Sequence, residues 1–531
     1  MTEPAGAYDV VIIGSGLNSL VCAALLTGKG KRVCVLERAD VAGGCIRTEA
    51  LTAPGFLHDT LSTLYPLFVT TPYFKDLEPL LAAQGVKFLN SPAPTAVILP
   101  DGRSLIFSTH REANVAAMEA CRPGDGEAYR QAMAEVEAAA PLIFGLLGAE
   151  LWTFATARLL LGEIWRRGPR GFSRFVAGCL TSCRDWIDKS FLSDEARALF
   201  APWVLHVGLS PESPLSALMD KVVLFSLEQV GSPMVEGGGA RLVEAFERII
   251  VAGGGAVRTG ADVAEILVTG GHARGVCLSS GEVIKASAAV VANVTPTQLY
   301  GRLLAQTPAP DRVRADAAAF RYGRGEMQIH LALSEPPQWP GPELLKVGML
   351  HLSAGPEAVS QAVNQAEAGL LPEAATIVVA QPIAIDPSRA PPGSWIFWIQ
   401  LQELPRDGAL KGDAAGAITV GSDGRWTPEI REAYADRIVA RLCAQIPNLE
   451  ASIIGRHVIS PADLQALNIN LVGGDPYSGA CGLDQYLLWR PSPQGGNHET
   501  CVRGLYHIGA STHPGPGLGG MSGYMAAKHI A

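Results

Sequence analysis

The sequence predicts an α/β protein whose nucleotide-binding half is built from both ends of the chain, and three stretches predict it. Near the start, Asp9-Val10-Val11-Ile12-Ile13 runs into Gly14-Ser15-Gly16 and an apolar helix. A second apolar run, 31–36, ends at Glu37. At the far end, Gly509-Ala510-Ser511-Thr512-His513-Pro514-Gly515 continues through Gly517, Gly519, Gly520 and Gly523 into a last short helix.

Val10 to Ile13 read as a buried parallel strand, Gly14 as the tight turn and Gly16 as the point of close backbone approach. The N–H groups of the following helix start, with its dipole, favour a pyrophosphate. Ser19 stands where the fingerprint has its third glycine, and serine is small enough to keep helix and strand together. Leu20, Val21, Ala24 and Leu25 give that helix a sheet-facing stripe. Glu37 lies about 20 residues past the glycines, where a carboxylate accepts from a ribose diol and repels a 2′-phosphate, which disfavours NADP. Gly43-Gly44 offer backbone without Cβ to the cofactor. Gly237-Gly238-Gly239 open an amphipathic helix over 241–251, and strands follow at 256–258, 263–269, 273–279, 283–286 and 289–292.

Between these pieces lies material of another kind. Runs at 86–89, 96–99 and 104–107, with Asp101-Gly102 as a turn, predict a small antiparallel sheet continued at 327–333, 376–380 and 395–402. Helices are expected across 112–228, and proline-rich loops at 336–342 and 387–392. The reading is thus a discontinuous nucleotide domain, 1–75, 236–300 and 500–531, around a substrate domain, 76–235 and 301–499. A chain of 531 residues exceeds what one core sustains.

A net charge of −9 argues against a nucleic-acid surface, which needs basic stripes. No basic leader or cleavage site precedes the first strand, and no run nears the roughly 20 apolar residues that span a bilayer. Ten scattered cysteines without Cys-x-x-Cys suit a reducing cytoplasm. Cys179 and Cys183 alone make a poor zinc site, and no metal is expected. The stretch 141–176 is apolar, with Arg166, Arg167, Arg170 and Arg174 at its edge. It reads first as a packed helical lid, at an interface between copies if the protein is a homodimer, and second as a helix resting on an anionic bilayer.

These segments resemble the phytoene dehydrogenase-related flavoproteins, a group that holds carotenoid desaturases, isomerase and saturase relatives and an animal branch called pyridine nucleotide-disulfide oxidoreductase domain protein 2. The resemblance runs through Gly55-Phe56-Leu57-His58-Asp59, Leu205-His206-Val207-Gly208, Asp386-Pro387-Ser388-Arg389, Leu483-Asp484-Gln485 with Arg490-Pro491, and the stretch 509–520. It implies a glutathione reductase-like FAD domain of Rossmann type with an amine oxidase- or phytoene desaturase-like α+β substrate domain. It implies FAD contacts at Gly14, Gly16, Leu17, Asn18, Ser19, Glu37, Arg38, Gly43, Gly44, Arg47, Val263, Gly509, Ala510, Gly519, Gly520 and Met521. Arg47 departs from the oxidase pattern, because Cys45 and Ile46 separate it from the paired glycines.

Desaturation of a carbon–carbon bond in an apolar cyclic or isoprenoid-like substrate, with oxygen or a quinone as acceptor, is the expected chemistry. An adjacent carbonyl would acidify the proton that leaves. Candidate catalytic groups are His513, His58, His206 and Arg490. The structural alternative is a loop anchor for His513, a core histidine for His206 and a salt bridge for Arg490, while Asp59 beside His58 reads as turn support. Two other functions stay open here, an isomerase or hydratase without net redox change and an FAD-stabilised interaction protein.

Overall fold

The computed structural model describes residues 8–307, 309–494 and 496–531. Positions 1–7 of the first nucleotide-binding stretch, and positions 308 and 495 of the substrate stretch, lie outside it. In chain order, strand β1 (Tyr8–Ile13), helix α1 (Leu17–Thr27) and strand β2 (Val33–Leu36) form the opening unit. Strands β3 (Thr95–Ile98) and β4 (Ser104–Phe107) come next. The helices α2 (Asp125–Leu147), α3 (Phe154–Cys179), α4 (Ser216–Val230) and α5 (Ala240–Ala252) follow. Strands β5 (Ala256–Arg258), β6 (Val263–Thr269), β7 (His272–Leu278) and β8 (Val283–Asn293) return to the first unit. Then come β9 (Gly325–Leu333), β10 (Met349–Leu352), β11 (Ile377–Ala380), β12 (Trp395–Leu404) and β13 (Ile453–Ile459). Strand β14 (Leu505–Ile508) and helix α6 (Met521–Ile530) close the chain.

The first sheet has parallel strands in the order β14-β8-β1-β2-β5, drawn from three distant parts of the sequence. Burial on both faces explains why β1 and β2 are continuous apolar runs. Strand β8 is a single element where the sequence suggested two. Its first residues pair antiparallel with β7, and its later ones pair with β1 and β14. Ser287 and Ala288 are exposed where it passes between the two, which interrupts the hydrophobic pattern.

The second sheet runs β13-β9-β12-β11-β10-β3-β4. Strands β10 and β13 were not anticipated, and the run at 86–89 does not join. Instead Phe88–Leu89 pair with Met234–Val235, because Asn90-Ser91-Pro92 turn the chain there and the Asn90 side chain binds the backbone of Val230 and Ser232. One face of this sheet buries Met327, Ile329, Leu331, Ile399 and Leu401 in the substrate-domain core.

A buried ion cluster joins the pieces. The Arg389 guanidinium, fully buried, meets Asp59 at 2.8 Å and Asp386 at 2.9 Å. These carboxylates in turn accept from the amides of Gly239 and Gly237. The triple glycine therefore serves this junction, and Asp59, expected to support a turn, lies instead in a short strand paired with Thr48 and acts as an ion-pair partner.

Helix α3 stands apart. Thr156 is its one buried side chain, while Phe154 and Trp165 are 85% and 89% exposed. Among the described residues, no helix is long and apolar enough to cross a membrane.

The C-terminal helix lies directly on α1. A Cβ at Gly523 would sit 1.8 Å from the Asn18 carbonyl, so only glycine permits the approach. Gly523→Ala is expected to lower the unfolding midpoint markedly, by the equivalent of about 2–4 kcal/mol. Gly162→Ala on exposed α3, where a Cβ meets nothing within 4 Å, is expected to be neutral or stabilising by about 1 kcal/mol. Thermal unfolding of the two variants side by side checks the contrast.

Candidate active site

A cavity of about 750 Å³ extends from the C-terminal ends of β1, β2 and β8 to the inner face of the second sheet. In open α/β sheets this is where ligands bind, beyond the carboxyl ends of the strands at the point where strand order reverses. The α1 N-terminus opens onto it, with Gly14, at φ +83°, in a backbone conformation that side chains resist.

The nucleotide end is fixed by local hydrogen bonds. The Ser15 amide and hydroxyl both donate to Glu37 Oε2, at 2.9 and 2.6 Å, and the Ala39 amide donates to Oε1 at 2.9 Å. Ser15 Oγ also accepts from the Gly43 amide. The serine inside the glycine turn therefore aims the acid and holds the paired glycines. Further along, Arg302 binds both oxygens of Asp262 and the Val263 carbonyl. Arg47 lines the cavity; its carbonyl accepts from the Thr60 amide, while its guanidinium has no hydrogen-bond or ion-pair partner among the described residues and is available to an anion.

Of the residues expected to meet a cofactor, all but Ser19 and Gly509 line this cavity. Those two lie just behind it. Ser19 Oγ accepts from Asn293 Nδ2 at 2.9 Å, and a Cβ on Gly509 would press on the Asn293 side chain. Asn293, Asp262 and Arg302 were not singled out from the sequence, and Ser15 was read only as part of the glycine turn. A strand-ending asparagine between glycine loops was the available signal for the first.

The candidate catalytic residues separate sharply. Arg490 is turned away from the cavity: its five N–H groups go to the carbonyls of Ala510, Ala480, Gln485, Tyr477 and Gly479, leaving none for a substrate. His513 donates from Nε2 to the Leu146 carbonyl, and burial pushes its imidazole down to about 4. It anchors the closing loop to the end of α2. His58 pairs with Thr52 and stacks edge-on against His330, also outside the cavity, with burial pushing it down to about 4.

His206 does line the cavity, but as half of a buried pair. Its Nε2 is 2.9 Å from His351 Nε2, and Gln402 donates toward its Nδ1. Desolvation pushes His206 down to about 3 and His351 well below the usual range, so both rings are neutral.

The inner sheet face carries groups that the sequence reading missed. Glu326 and Gln328 on β9 and Gln400 and Gln402 on β12 all line the cavity, with Gln328 directly opposite Gln400. Ladder register shifts beside Glu326, the kind of irregularity that re-aims side chains near active sites. Polar residues alternating with apolar ones in strands buried on both faces were the legible signal: Glu-Met-Gln-Ile on one strand and Ile-Gln-Leu-Gln on the other. Burial pushes the Glu326 carboxyl up to about 7, opposed by hydrogen bonds from Gln400 and Gln328 and reinforced by Asp475. Opposite, α4 contributes Met219, Val222, Val223 and Phe225, and the sheet adds Met349 and Trp398, so most of this end is apolar.

A family model described as NAD(P)-binding Rossmann-like domain matches residues 12–80. Over 98% of its length the chain is 28% identical to pyridine nucleotide-disulfide oxidoreductase domain-containing protein 2 of Rattus norvegicus, across 93% of that protein. It is 24% identical to a limonene dehydrogenase component of Castellaniella defragrans, covering 98% of this chain and 94% of the other. With a lycopene-forming phytoene desaturase of Paracoccus it shares 26% identity over 97% of this chain and 95% of the other. Among solved structures, a putrescine oxidase variant superposes with a TM-score of 0.60 at 16% identity, covering 99% of this chain and 98% of that one. The chain is thus similar over 97–98% of its length to these three proteins, and its fold is a mixed α/β, Rossmann-like architecture that resembles that of putrescine oxidase.

Glu326 sets a pH signature. A carboxyl raised in the folded state, from 4.5 to about 7 here, contributes stability that is full below the lower value and lost as pH climbs through the upper one. Buried Glu403 is pushed up to about 7 as well, so the wild type falls through both groups. Glu326→Gln is expected to flatten that fall. Denaturant unfolding at about pH 5 and about pH 8 checks it: the variant gains on the wild type at the higher pH, and parallel losses would contradict the assignment.

Proposed function

We propose that this protein is an FAD-dependent oxidoreductase that desaturates a carbon–carbon bond of an apolar cyclic or isoprenoid-like substrate. The observation that carries the reading is one cavity lined at one end by the glycine turn, Glu37 and the closing glycine loop, and at the other by apolar side chains of α4 and the second sheet. A dinucleotide fits the first end: N–H groups of the α1 start for the pyrophosphate, Arg47 for a phosphate and the Glu37 oxygens for a ribose diol. The flavin ring of such a cofactor accepts a hydride from carbon.

The chain's own part is positioning and exclusion. Met219, Val223, Phe225 and Trp398 shut water from the reacting bond and hold an apolar body. With His206 neutral, and with His513, His58 and Arg490 committed to structure, no imidazole or guanidinium is assigned a proton. Delocalised loss from a conjugated substrate, or loss beside a carbonyl, asks least of such a site. The names of the homologues, a limonene dehydrogenase component and a phytoene desaturase, support the substrate class. Oxygen or a quinone is the acceptor this reading takes, since the one dinucleotide fingerprint is used for FAD.

Helix α3 supports a second contact, with an anionic bilayer from which an apolar substrate is drawn. Phe154, Leu161 and Trp165 are exposed, and Arg158, Arg166, Arg167, Arg170 and Arg174 share their helix with a single acid, Glu163.

Anaerobic mixing with a panel of monocyclic and acyclic isoprenoids is expected to bleach the flavin absorbance; bleaching by NADH alone, with every organic donor inert, would overturn the desaturase reading. Flotation with vesicles containing phosphatidylglycerol is expected for the wild type and reduced several-fold in a Phe154→Ser/Trp165→Ser variant. Failure of the wild type to float would remove the bilayer contact, and a dimer dispersed by the same changes would assign α3 to a second copy.

A further inference from the structure

The closing loop is held from behind by a histidine that faces acceptors on both ring nitrogens. His498, ahead of β14, is buried; its Nε2 lies 3.0 Å from the His513 carbonyl oxygen and its Nδ1 2.7 Å from Glu150 Oε1. A carbonyl oxygen only accepts, so Nε2 carries a hydrogen. An ionised carboxylate only accepts as well, so Nδ1 needs a second one. The pair therefore holds one proton more than a neutral imidazole beside a carboxylate. Without it, lone pairs would face each other across 2.7 Å.

Glu150 joins more than the loop. Its Oε1 also accepts from His529 Nε2, at 3.1 Å, in the last turn of α6. Its carbonyl accepts from the hydroxyls of Thr153 and Thr156, the first of which caps α3. His529 keeps its contact when neutral, with its one hydrogen on Nε2, so the extra proton is needed at His498 alone. On the other side of the loop, Ala510, Ser511 and residues 514–521 line the cavity.

The groups packed around the pair do not titrate in its place. Burial pushes His513 of the loop and His507 of β14 down to about 4, so both stay neutral from weakly acidic pH upward. Tyr506, stacked on His529, is pushed up by burial and by Glu499. Burial opposes the charge on Glu150, but the hydrogen bonds and charges of His498 and His529 outweigh it and hold the carboxyl below its usual range. Its contribution is therefore present at neutral pH and lost only as pH falls through that lowered value, whereas the shared proton leaves as pH rises.

We propose that Glu150 and His498 are positioning residues for the cofactor end of the cavity, with one shared proton fastening the closing loop to the base of α3. The link to a cofactor rests on the flavin reading; the fastening of the loop does not. Loss of the proton releases the loop. Through Thr153 and Thr156 the same glutamate also ties that loop to the helix offered to the bilayer.

Hydrogen exchange of the flavin-loaded protein at about pH 6 and about pH 9, with labelling times scaled for the intrinsic rate, tests this. Wild-type peptides covering 509–520 are expected to lose protection about tenfold between the two, the effect of one charge-assisted hydrogen bond. Glu150→Gln is expected to stay protected at both, because its amide donates to the bare Nδ1 of a neutral His498 and leaves the Nε2 hydrogen on His513. His498→Leu is expected to be unprotected at both. All three proteins carry Glu326 and Glu403, so a difference among them belongs to the pair. Wild-type protection that is equal at the two pH values, or that falls equally in Glu150→Gln, would overturn the proposal. So would a His498→Leu loop as protected as the wild type at the lower pH; if that variant does not fold, the other two proteins decide. Colourless protein would sink the flavin reading instead, and exchange on the flavin-free chain would still decide this one.

Discussion

Close approach of backbone around one side chain, Asn293, is the constraint on which the rest of the molecule depends. It ends β8, the strand flanked by β1 from the start of the chain and β14 from its end. A Cβ on Gly14 would lie 3.1 Å from its carbonyl oxygen, one on Gly16 3.1 Å from its Nδ2, and one on Gly509 2.2 Å from its Oδ1. Its amide also donates to Ser19, inside the first turn of α1. Two glycine loops nearly 500 residues apart are thereby held at one point, and the start of α1 is aimed into the space between them. Glycine is needed here for contact with the protein itself as much as with any ligand.

The second fixed relation is between the two sheets. A fully buried arginine shared by Asp59 and Asp386 is costly to desolvate and is held only by precise geometry, so removing one partner leaves an uncompensated charge. That geometry ties the segment after Gly55 to the loop before β12 and to the glycines opening α5. The cavity lies between the sheets so joined, with the polar residues of β9 and β12 on one side and the apolar residues of α4 on the other. The closing loop is tied down in the same way, by Arg490 on five carbonyls and His513 on the end of α2.

The nucleotide half was legible because its signals are local: an apolar strand, a glycine turn and an acid at a set distance are all forced by one ligand geometry. Strands 256–258 and 263–269 could be read to the residue for the same reason, since glycines flank the first at 253–255 and 260 and a Gly270-Gly271 hairpin ends the second. The substrate half was harder. Strand β10 is four residues, Met-Leu-His-Leu, between loops, too short to be told by period from a helix fragment, and β13 shows mixed burial. The run at 86–89 has strand composition, but its partner, Met234–Val235, is distant in sequence. Histidine and arginine drew attention as reactive types, yet what decides their use is where their N–H groups go, and Arg490 shows how little of that is written in the residue. Glu326 was passed over because the strand was read as starting at 327, one residue after it; the strand in fact begins at Gly325 and is buried along its whole length.

The central claim is that both chain ends clasp one FAD. The visible absorbance spectrum of the purified protein, with the chromophore released by heat and identified, tests it most directly. A yellow protein that releases close to one FAD per chain is expected. A colourless protein that takes up no flavin on reconstitution, or a released chromophore that is not FAD, would contradict it.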